Sequence, residues 1–241
     1  MALAVLSSAC TYIDEPGPQR TPGPGLALQS STPSPGARDA ERAAAIVLSF
    51  DRAVASESLS VETVRVFSGT IEVRGKRAID LLARQVSFVP SEPLRSDLRY
   101  RVFLGADLRA LDGSRLGENI VLEFTTGEAL GSPPAPAPEI TAEALQPLWS
   151  TRCVSCHGAK DPRAGLDLSS PDAVRRNLVN VGADGSFRQR VKPGDHAASY
   201  LMRKLIGPEG VSGMQMPPDP RDKLDAATLR RVADWIDSGA K

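Results

Sequence analysis

The sequence Cys153-Val154-Ser155-Cys156-His157 decides how the C-terminal part of the chain folds and what it holds. Its C-x-x-C-H spacing is the attachment signature of a c-type haem. Two thiols three residues apart face the same side of a helical turn, so both can form thioethers with the vinyl groups of one haem. The following residue, His157, can ligate the iron as its proximal ligand. The pattern therefore predicts one covalently bound haem on Cys153, Cys156 and His157.

Three alternatives to a haem site are compatible with so short a pattern. A structural zinc ion needs four ligands, and the sequence offers only Cys153, Cys156, His157 and the distant His196. A thioredoxin-like redox pair needs a βαβ context, which the surrounding sequence does not predict. A chance match is the third alternative. The helical pattern before the signature and a Met-Pro-Pro loop after it favour haem.

Four helices are predicted around the signature, with no strand pattern among them. The first begins at Thr141 and carries an apolar stripe that ends at Cys153. The second begins at Ser170-Pro171, where Pro occupies the first helical position. The third follows Pro193-Gly194-Asp195, and the fourth opens at Asp225 and ends at Gly239. We expect an all-α domain in which the haem faces form part of the core.

The distal iron ligand is predicted to be a thioether sulfur or a second imidazole. Met216 is the first choice because it lies in an irregular loop before the last helix, and Pro217 restricts its backbone. Met214 and His196 are alternatives, as is an open coordination position. Met202 falls inside a helical stripe, where core packing is the expected role. His196 is expected to be a solvated residue at a helix start.

The N-terminal region is interpreted as an export and tethering segment. Residues 1–10 form a short apolar run that ends in Cys10, which is typical of the end of a bacterial lipoprotein signal with Cys10 as the acylated residue. The run is short and has no basic residues, so a true start codon upstream is expected. A disordered terminus with a free thiol is the alternative. Residues 11–38 are rich in Pro, Gly and Ser and are predicted to be a disordered linker.

Residues 39–130 carry short alternating apolar runs separated by turn signals, which predicts a β-sandwich. The runs that favour strands are 45–50, 63–67, 70–74, 85–89, 98–104 and 120–125. This segment resembles a bacterial Ig-like module of the S-layer-protein type. The resemblance rests on Ile46-Val47-Leu48-Ser49-Phe50-Asp51, Val86-Ser87-Phe88-Val89-Pro90, Leu111-Asp112-Gly113 and Phe124-Thr125-Thr126-Gly127. No cluster of His, Cys or paired carboxylates occurs there, so a spacer role is expected, with protein or glycan binding as the alternative.

Residues 131–138 form a second, Pro-rich linker, and residues 139–241 resemble a mono-haem cytochrome c domain of the planctomycete type. The residues that carry this resemblance are the haem signature, Gly165-Leu166-Asp167-Leu168-Ser169, Val191-Lys192-Pro193-Gly194-Asp195, Met216-Pro217-Pro218 and Trp235-Ile236-Asp237-Ser238-Gly239-Ala240. By this resemblance Cys153 and Cys156 bind haem covalently, His157 is the proximal ligand and Met216 the distal one. The expected fold is multidomain: an all-β Ig-like sandwich followed by an all-α cytochrome c domain, with Pro-rich linkers.

The amino-acid composition limits the classes of function that the chain can have. The chain has 29 Lys+Arg and 29 Asp+Glu, so no bulk charge favours nucleic acid. Three cysteines are too few for a disulfide scaffold. No apolar run is long enough for a transmembrane helix. We expect a non-enzymatic electron carrier with haem c and iron, in the cell envelope or periplasm. It would be membrane-held through Cys10 and would meet redox partner proteins transiently. The alternatives are a haem enzyme or sensor with an open distal site, and a surface scaffold.

Overall fold

The computed structural model describes residues 25–207 and 211–241, so Cys10 and the predicted lipoprotein signal lie outside the described residues. The chain divides into two compact units, and the boundary between them lies at Pro136 and Ala137. This boundary falls inside 131–138, where no residue belongs to a helix or a strand. The assignment of 131–138 as a linker stays a prediction.

The N-terminal unit is a β-sandwich made of two four-stranded antiparallel sheets. One sheet has the order β1-β2-β6-β5 and the other β4-β3-β7-β8. The strands are β1 (Leu28–Thr32), β2 (Ile46–Phe50), β3 (Val64–Ser68), β4 (Ile71–Glu72), β5 (Gly75–Asp80), β6 (Gln85–Pro90), β7 (Arg99–Leu104) and β8 (Ile120–Thr125). The sandwich predicted from the alternating pattern is therefore present.

The core of the sandwich lies between the inner faces of the two sheets. Alternate residues of β2, β6 and β7 point inwards, and Leu48, Phe88 and Leu104 are fully buried. Tyr100 stacks on Phe124 of the neighbouring strand, with ring centroids 5.7 Å apart. The Tyr100 hydroxyl accepts a hydrogen bond from the Arg95 backbone N–H at 2.9 Å, which satisfies its polar end.

Two strands were not predicted, and one of them corrects a predicted boundary. β1 lies inside residues 11–38, the segment predicted to be a disordered linker, and that prediction is wrong for Leu28–Thr32. Its residues pair antiparallel with β2, from Leu28↔Phe50 to Thr32↔Val47. β5 pairs with β6. Both strands are at sheet edges and expose much of their length, so they carry few apolar residues and give a weak alternating signal.

The C-terminal unit contains four α-helices joined by loops and short 3₁₀ turns. They are α1 (Ala142–Arg152), α2 (Pro171–Leu178), α3 (Tyr200–Ile206) and α4 (Ala226–Asp237). Side-chain caps begin three of them: Thr141, Ser170 and Asp225 each accept a hydrogen bond from the backbone N–H three residues on. The four predicted helices and their capping residues are confirmed.

The first and last helices are joined by aromatic packing. Trp149 of α1 and Trp235 of α4 are both fully buried and meet edge to face, with centroids 6.4 Å apart and an interplanar angle of 63°. The Ala142 backbone N–H donates to the Lys241 carbonyl at 2.9 Å. The indole N–H of Trp235 donates to the same carbonyl at 3.1 Å. The Ala142 bond fixes the start of α1, and the packing of Trp149 fixes its last turns, which lead into the haem signature.

Candidate haem site

The C-x-x-C-H turn continues the last turn of α1. The Cys153 backbone N–H donates to the Trp149 carbonyl at 2.9 Å, so Cys153 is the C-terminal cap of the helix. The Cys153 carbonyl then accepts from the N–H groups of Cys156, at 3.1 Å, and His157, at 2.9 Å. The three predicted attachment residues therefore lie close together on one turn that follows the end of α1.

Both cysteines of the signature are partly buried. Cys153 is a free cysteine, and burial raises the pKa of its thiol to about 11. The roles of Cys153 and Cys156 as thioether residues stay predictions.

The ring of His157 is held in an orientation that suits a metal ligand. Its Nδ1 lies 3.1 Å from the Arg163 carbonyl oxygen. A carbonyl oxygen can only accept, so Nδ1 carries the proton and Nε2 keeps its lone pair. Burial lowers the pKa of the imidazole, which favours the neutral form that binds metals. This hydrogen bond to the second ring nitrogen is the arrangement that orients ligating histidines, so His157 fits an axial haem ligand.

The loop after the signature is fixed at several points. The Leu168 backbone N–H donates to the His157 carbonyl at 2.8 Å, and the side-chain amide of Gln146 donates to the Leu168 carbonyl at 3.0 Å. The guanidinium of Arg190 donates to the carbonyls of Ala164 and Asn177, at 2.9 Å and 3.1 Å. These bonds tie the loop that contains Arg163 to α1 and α2, and so hold the acceptor of the His157 ring in place.

Met216 lies in a second fixed loop, residues 211–217, which we call the Met loop. The Met216 side chain is partly buried, and the Met216 backbone N–H donates to the Lys204 carbonyl at 2.6 Å. The Lys204 ammonium donates to the carbonyls of Ser212, at 2.9 Å, and Met214, at 2.6 Å. Helix α3 therefore sets the course of the loop that carries the predicted distal ligand.

The alternative distal ligands occupy other environments. Met202 is fully buried in α3, as expected for a core residue, whereas the Met214 residue is 44% exposed. The prediction of a solvated His196 is wrong, because His196 is only 3% exposed. Its Nδ1 lies 2.7 Å from Asp237 Oδ2, and its backbone N–H donates to Asp237 Oδ1 at 2.9 Å. The pairing of His196 with the end of α4 gives it a structural role there.

Different helices position the two predicted axial ligands. His157 is held through α1 and α2, and Met216 through α3, all within the C-terminal unit. Within residues 25–207 and 211–241, no cluster of three or more His, Cys, Asp or Glu residues could hold a metal ion. A four-ligand zinc site therefore has no support among the described residues. In the same part of the chain, no helix is long and apolar enough to cross a membrane.

Three residues of the site region were not predicted from the sequence. Lys204 and Arg190 act through backbone carbonyl acceptors, which leave no sequence pattern. Asp237 binds a histidine that lies 41 positions earlier in the chain. No local signal could have connected these residues with the site, because each contact arises only when the helices pack.

The fold and the C-x-x-C-H turn define a cytochrome-like haem protein with a separate β-sandwich. Two family models match the chain in the expected order: bacterial Ig-like domain over residues 24–126 and Planctomycete cytochrome C over residues 153–220. The β-sandwich unit therefore matches the bacterial Ig-like model, and the helical unit that follows it matches the Planctomycete cytochrome C model. No curated protein matches the chain at a significant level.

Solved structures share only weak similarity with the chain. The S-layer protein rSbsC(31-844) is 16% identical, with a TM-score of 0.34, over 48% of this chain and 16% of that chain. PcoC, a methionine-rich copper resistance protein from Escherichia coli, is 20% identical, also with a TM-score of 0.34, over 42% of this chain and 98% of that chain. The chain thus spans only a small part of the S-layer protein, and similarities at this level assign no function.

Proposed function

We propose that this protein is a c-type cytochrome that transfers single electrons at the cell envelope. One haem would be bound covalently by Cys153 and Cys156, with His157 and Met216 as axial ligands. The observation that carries the proposal is the hydrogen bond between His157 Nδ1 and the Arg163 carbonyl. It leaves Nε2 as the ligating atom, directly beside two cysteines with haem spacing.

The residues around the site suit an electron carrier better than an enzyme. A haem supplies the one-electron iron couple when bound. His157 contributes a neutral imidazole, and Met216 contributes a thioether, which stabilises the reduced form and raises the potential. With both axial positions taken by the chain, no position would remain for a substrate. Because both ligands are fixed through their loops, oxidation and reduction would need little movement of the chain.

The domain types support a location for the protein, and the charge balance supports a kind of partner. Ig-like and cytochrome c domains of bacteria both indicate an extracytoplasmic protein of the cell envelope. We propose that a lipid on Cys10 holds the protein at a membrane and that the Ig-like domain is a spacer. Redox proteins would bind transiently, because the equal numbers of basic and acidic residues give no strong electrostatic steering. Nucleic acid is not a proposed partner.

The test is the absorption spectrum of the full chain after expression with a c-type maturation system. Pyridine haemochrome analysis should give one haem per chain, attached through thioethers. The ferric protein should show the weak far-red band of iron–sulfur ligation, and Met216→Ala should abolish that band and lower the reduction potential. Met214→Ala is the matched control, because Met214 is largely exposed in the same loop. Its spectrum should match that of the wild type.

Two results would contradict the proposal. Absence of bound haem would remove the cytochrome assignment altogether. A high-spin ferric spectrum in the wild type, unchanged in Met216→Ala, would show an open distal position. In that case a haem enzyme or a sensor would replace the electron carrier as the function.

A further inference from the structure

Lys204 contacts every second residue of the Met loop from Ser212 to Met216. Its ammonium donates to the carbonyls of Ser212 and Met214, and its own carbonyl accepts from the Met216 backbone N–H. One residue of α3 therefore binds the loop at the predicted distal ligand itself and at the positions two and four residues before it. The contacts involve only the backbone of the loop, so the side chain of Met216 stays available as a ligand.

The chemistry of an ammonium group suits this role. Lys Nζ carries three donors and no acceptor, and it can bind two carbonyl oxygens at once. Hydrogen bonds from a charged donor are roughly twice as strong as those between neutral groups. The side chain is partly buried. The described partners of this desolvated cation are the two loop carbonyls, so breaking these bonds would leave a partly buried charge without compensation.

Other contacts from α3 and from Lys223 support the same loop without reaching Met216. The Ser212 backbone N–H donates to the Tyr200 hydroxyl at 2.8 Å. The side-chain amide of Gln215 donates to the Leu205 carbonyl at 2.7 Å, and Lys223 donates to the Pro217 carbonyl. The loop therefore keeps several tethers if Lys204 is replaced. Loss of Lys204 should loosen the backbone at Met214 and Met216 and leave the rest of the fold in place.

We propose that Lys204 is a positioning residue that holds Met216 against the haem iron and thereby sets the strength of the iron–sulfur bond. This inference rests on the proposed function, in which Met216 is the distal ligand. A fixed loop presents its sulfur at one distance and angle, whereas a loosened loop lets the sulfur dissociate more often. The effect of Lys204 should therefore appear in ligand exchange and in the reduction potential.

The experiment compares haem-loaded full-length variants at position 204. Lys204→Met keeps an unbranched side chain that is one atom shorter, and it removes the charge and both hydrogen bonds. Lys204→Gln also shortens the side chain by one atom and removes the charge, but it keeps an N–H donor group. Lys204→Arg keeps the charge and the donors. The measurements are the intensity of the far-red ferric band, the midpoint potential, and the dissociation constant for imidazole, which competes with the Met sulfur for ferric iron.

In Lys204→Met we expect a weakened far-red band, a lower potential and imidazole binding that is about tenfold tighter, as the loss of two hydrogen bonds implies. Lys204→Gln should be intermediate, and Lys204→Arg should restore the wild-type values. Lys192→Met is the matched control, because Lys192 is exposed and pairs with Asp195 at 2.9 Å. It makes the same chemical change in the same unit and should alter none of the three quantities.

The outcomes separate this inference from the proposed function. Suppose that the wild type shows the far-red band, and that Lys204→Met has the same band intensity, midpoint potential and imidazole affinity. This result would overturn the positioning role of Lys204 and leave Met216 ligation intact. A wild-type spectrum without the band, unaffected by Met216→Ala, would overturn both. If Lys204→Met yields no folded protein, the Gln and Arg variants decide: equal values in these two variants would also overturn the positioning role.

Discussion

The two units of this chain are stabilised in different ways. In the Ig-like unit, eight strands pair along continuous ladders, and the core side chains form two facing layers. In the cytochrome unit the helices have only 7 to 12 residues, a length at which isolated helices are marginal in water. Its loops depend on individual side-chain hydrogen bonds, such as those of Lys204 and Arg190.

This difference in stabilisation indicates which unit gains more from binding a cofactor. A unit whose stability is spread over strand ladders tolerates local loss, whereas a unit made of short helices gains much from a bound group that binds only the folded state. Haem bound by the signature would act in this way in the cytochrome unit. We therefore expect the two units to unfold separately and to respond differently to equivalent substitutions.

The largest effect is expected from one fully buried aromatic residue in each unit. Trp149→Ala removes half of the contact between α1 and α4, and Phe88→Ala leaves a cavity between the two sheets; each should cost about 3 to 5 kcal/mol of unfolding free energy. Calorimetry should show two transitions in the wild type. Trp149→Ala should abolish or strongly lower only the cytochrome transition, and Phe88→Ala should lower only the other. A single transition shifted by both variants would disprove separate unfolding.

A smaller effect is expected at the pair formed by buried His196 and partly exposed Asp237. In Asp237→Asn the amide cannot accept both bonds that the carboxylate accepts from His196, so the cytochrome unit should lose about 1 to 3 kcal/mol. Both tryptophans lie in this unit, so their fluorescence during denaturant unfolding measures its stability alone. Asp172→Asn removes an exposed carboxylate that pairs with Arg175 at 3.2 Å; it is the control and should shift the midpoint much less, because exposed ion pairs contribute little. Equal midpoints for both variants would show that the pair of His196 and Asp237 adds nothing beyond an exposed ion pair.

The smallest effect is expected at a helix cap. Ser170 Oγ accepts from the Ala173 backbone N–H at 3.2 Å and begins α2, which has only eight residues. Ser170→Ala should cost about 1 kcal/mol, and Ser170→Asp, which keeps an acceptor, should cost less. The same fluorescence titration measures both variants. If Ser170→Asp is destabilised as much as Ser170→Ala, capping is not the cause.

Much of the fold could be predicted from local sequence, because the main elements carry their own signals. The caps at Thr141, Ser170 and Asp225 and the alternating residues of the central strands each act within a few positions of the chain. The two edge strands of one sheet, β1 and β5, were missed, since Leu28–Thr32 and Gly75–Asp80 take their strand conformation from pairing with a neighbour. Backbone pairing of this kind is independent of side-chain pattern.

The site residues also fall into two groups: those with a local sequence signal and those that depend on distant contacts. Cys153, Cys156 and His157 are adjacent in sequence, and their spacing alone places them on one turn. His196 was misjudged because its burial depends on Asp237, which α4 supplies from 41 positions further on. Lys204 gave no signal, because its acceptors are main-chain oxygens that any sequence provides. The candidate haem-binding residues could thus be predicted from their spacing in the sequence. The residues that hold them in place could not, because their contacts form only when the helices pack.

The hydrogen bond between the Ala142 N–H and the Lys241 carbonyl has a consequence for how such units can be joined. It places the entry and the exit of the cytochrome unit side by side. A chain that continued beyond residue 241 would leave beside the point where the preceding segment arrives. The unit can therefore be spliced into a host loop, or circularly permuted through a short connection between its ends, without a change in the path of its helices.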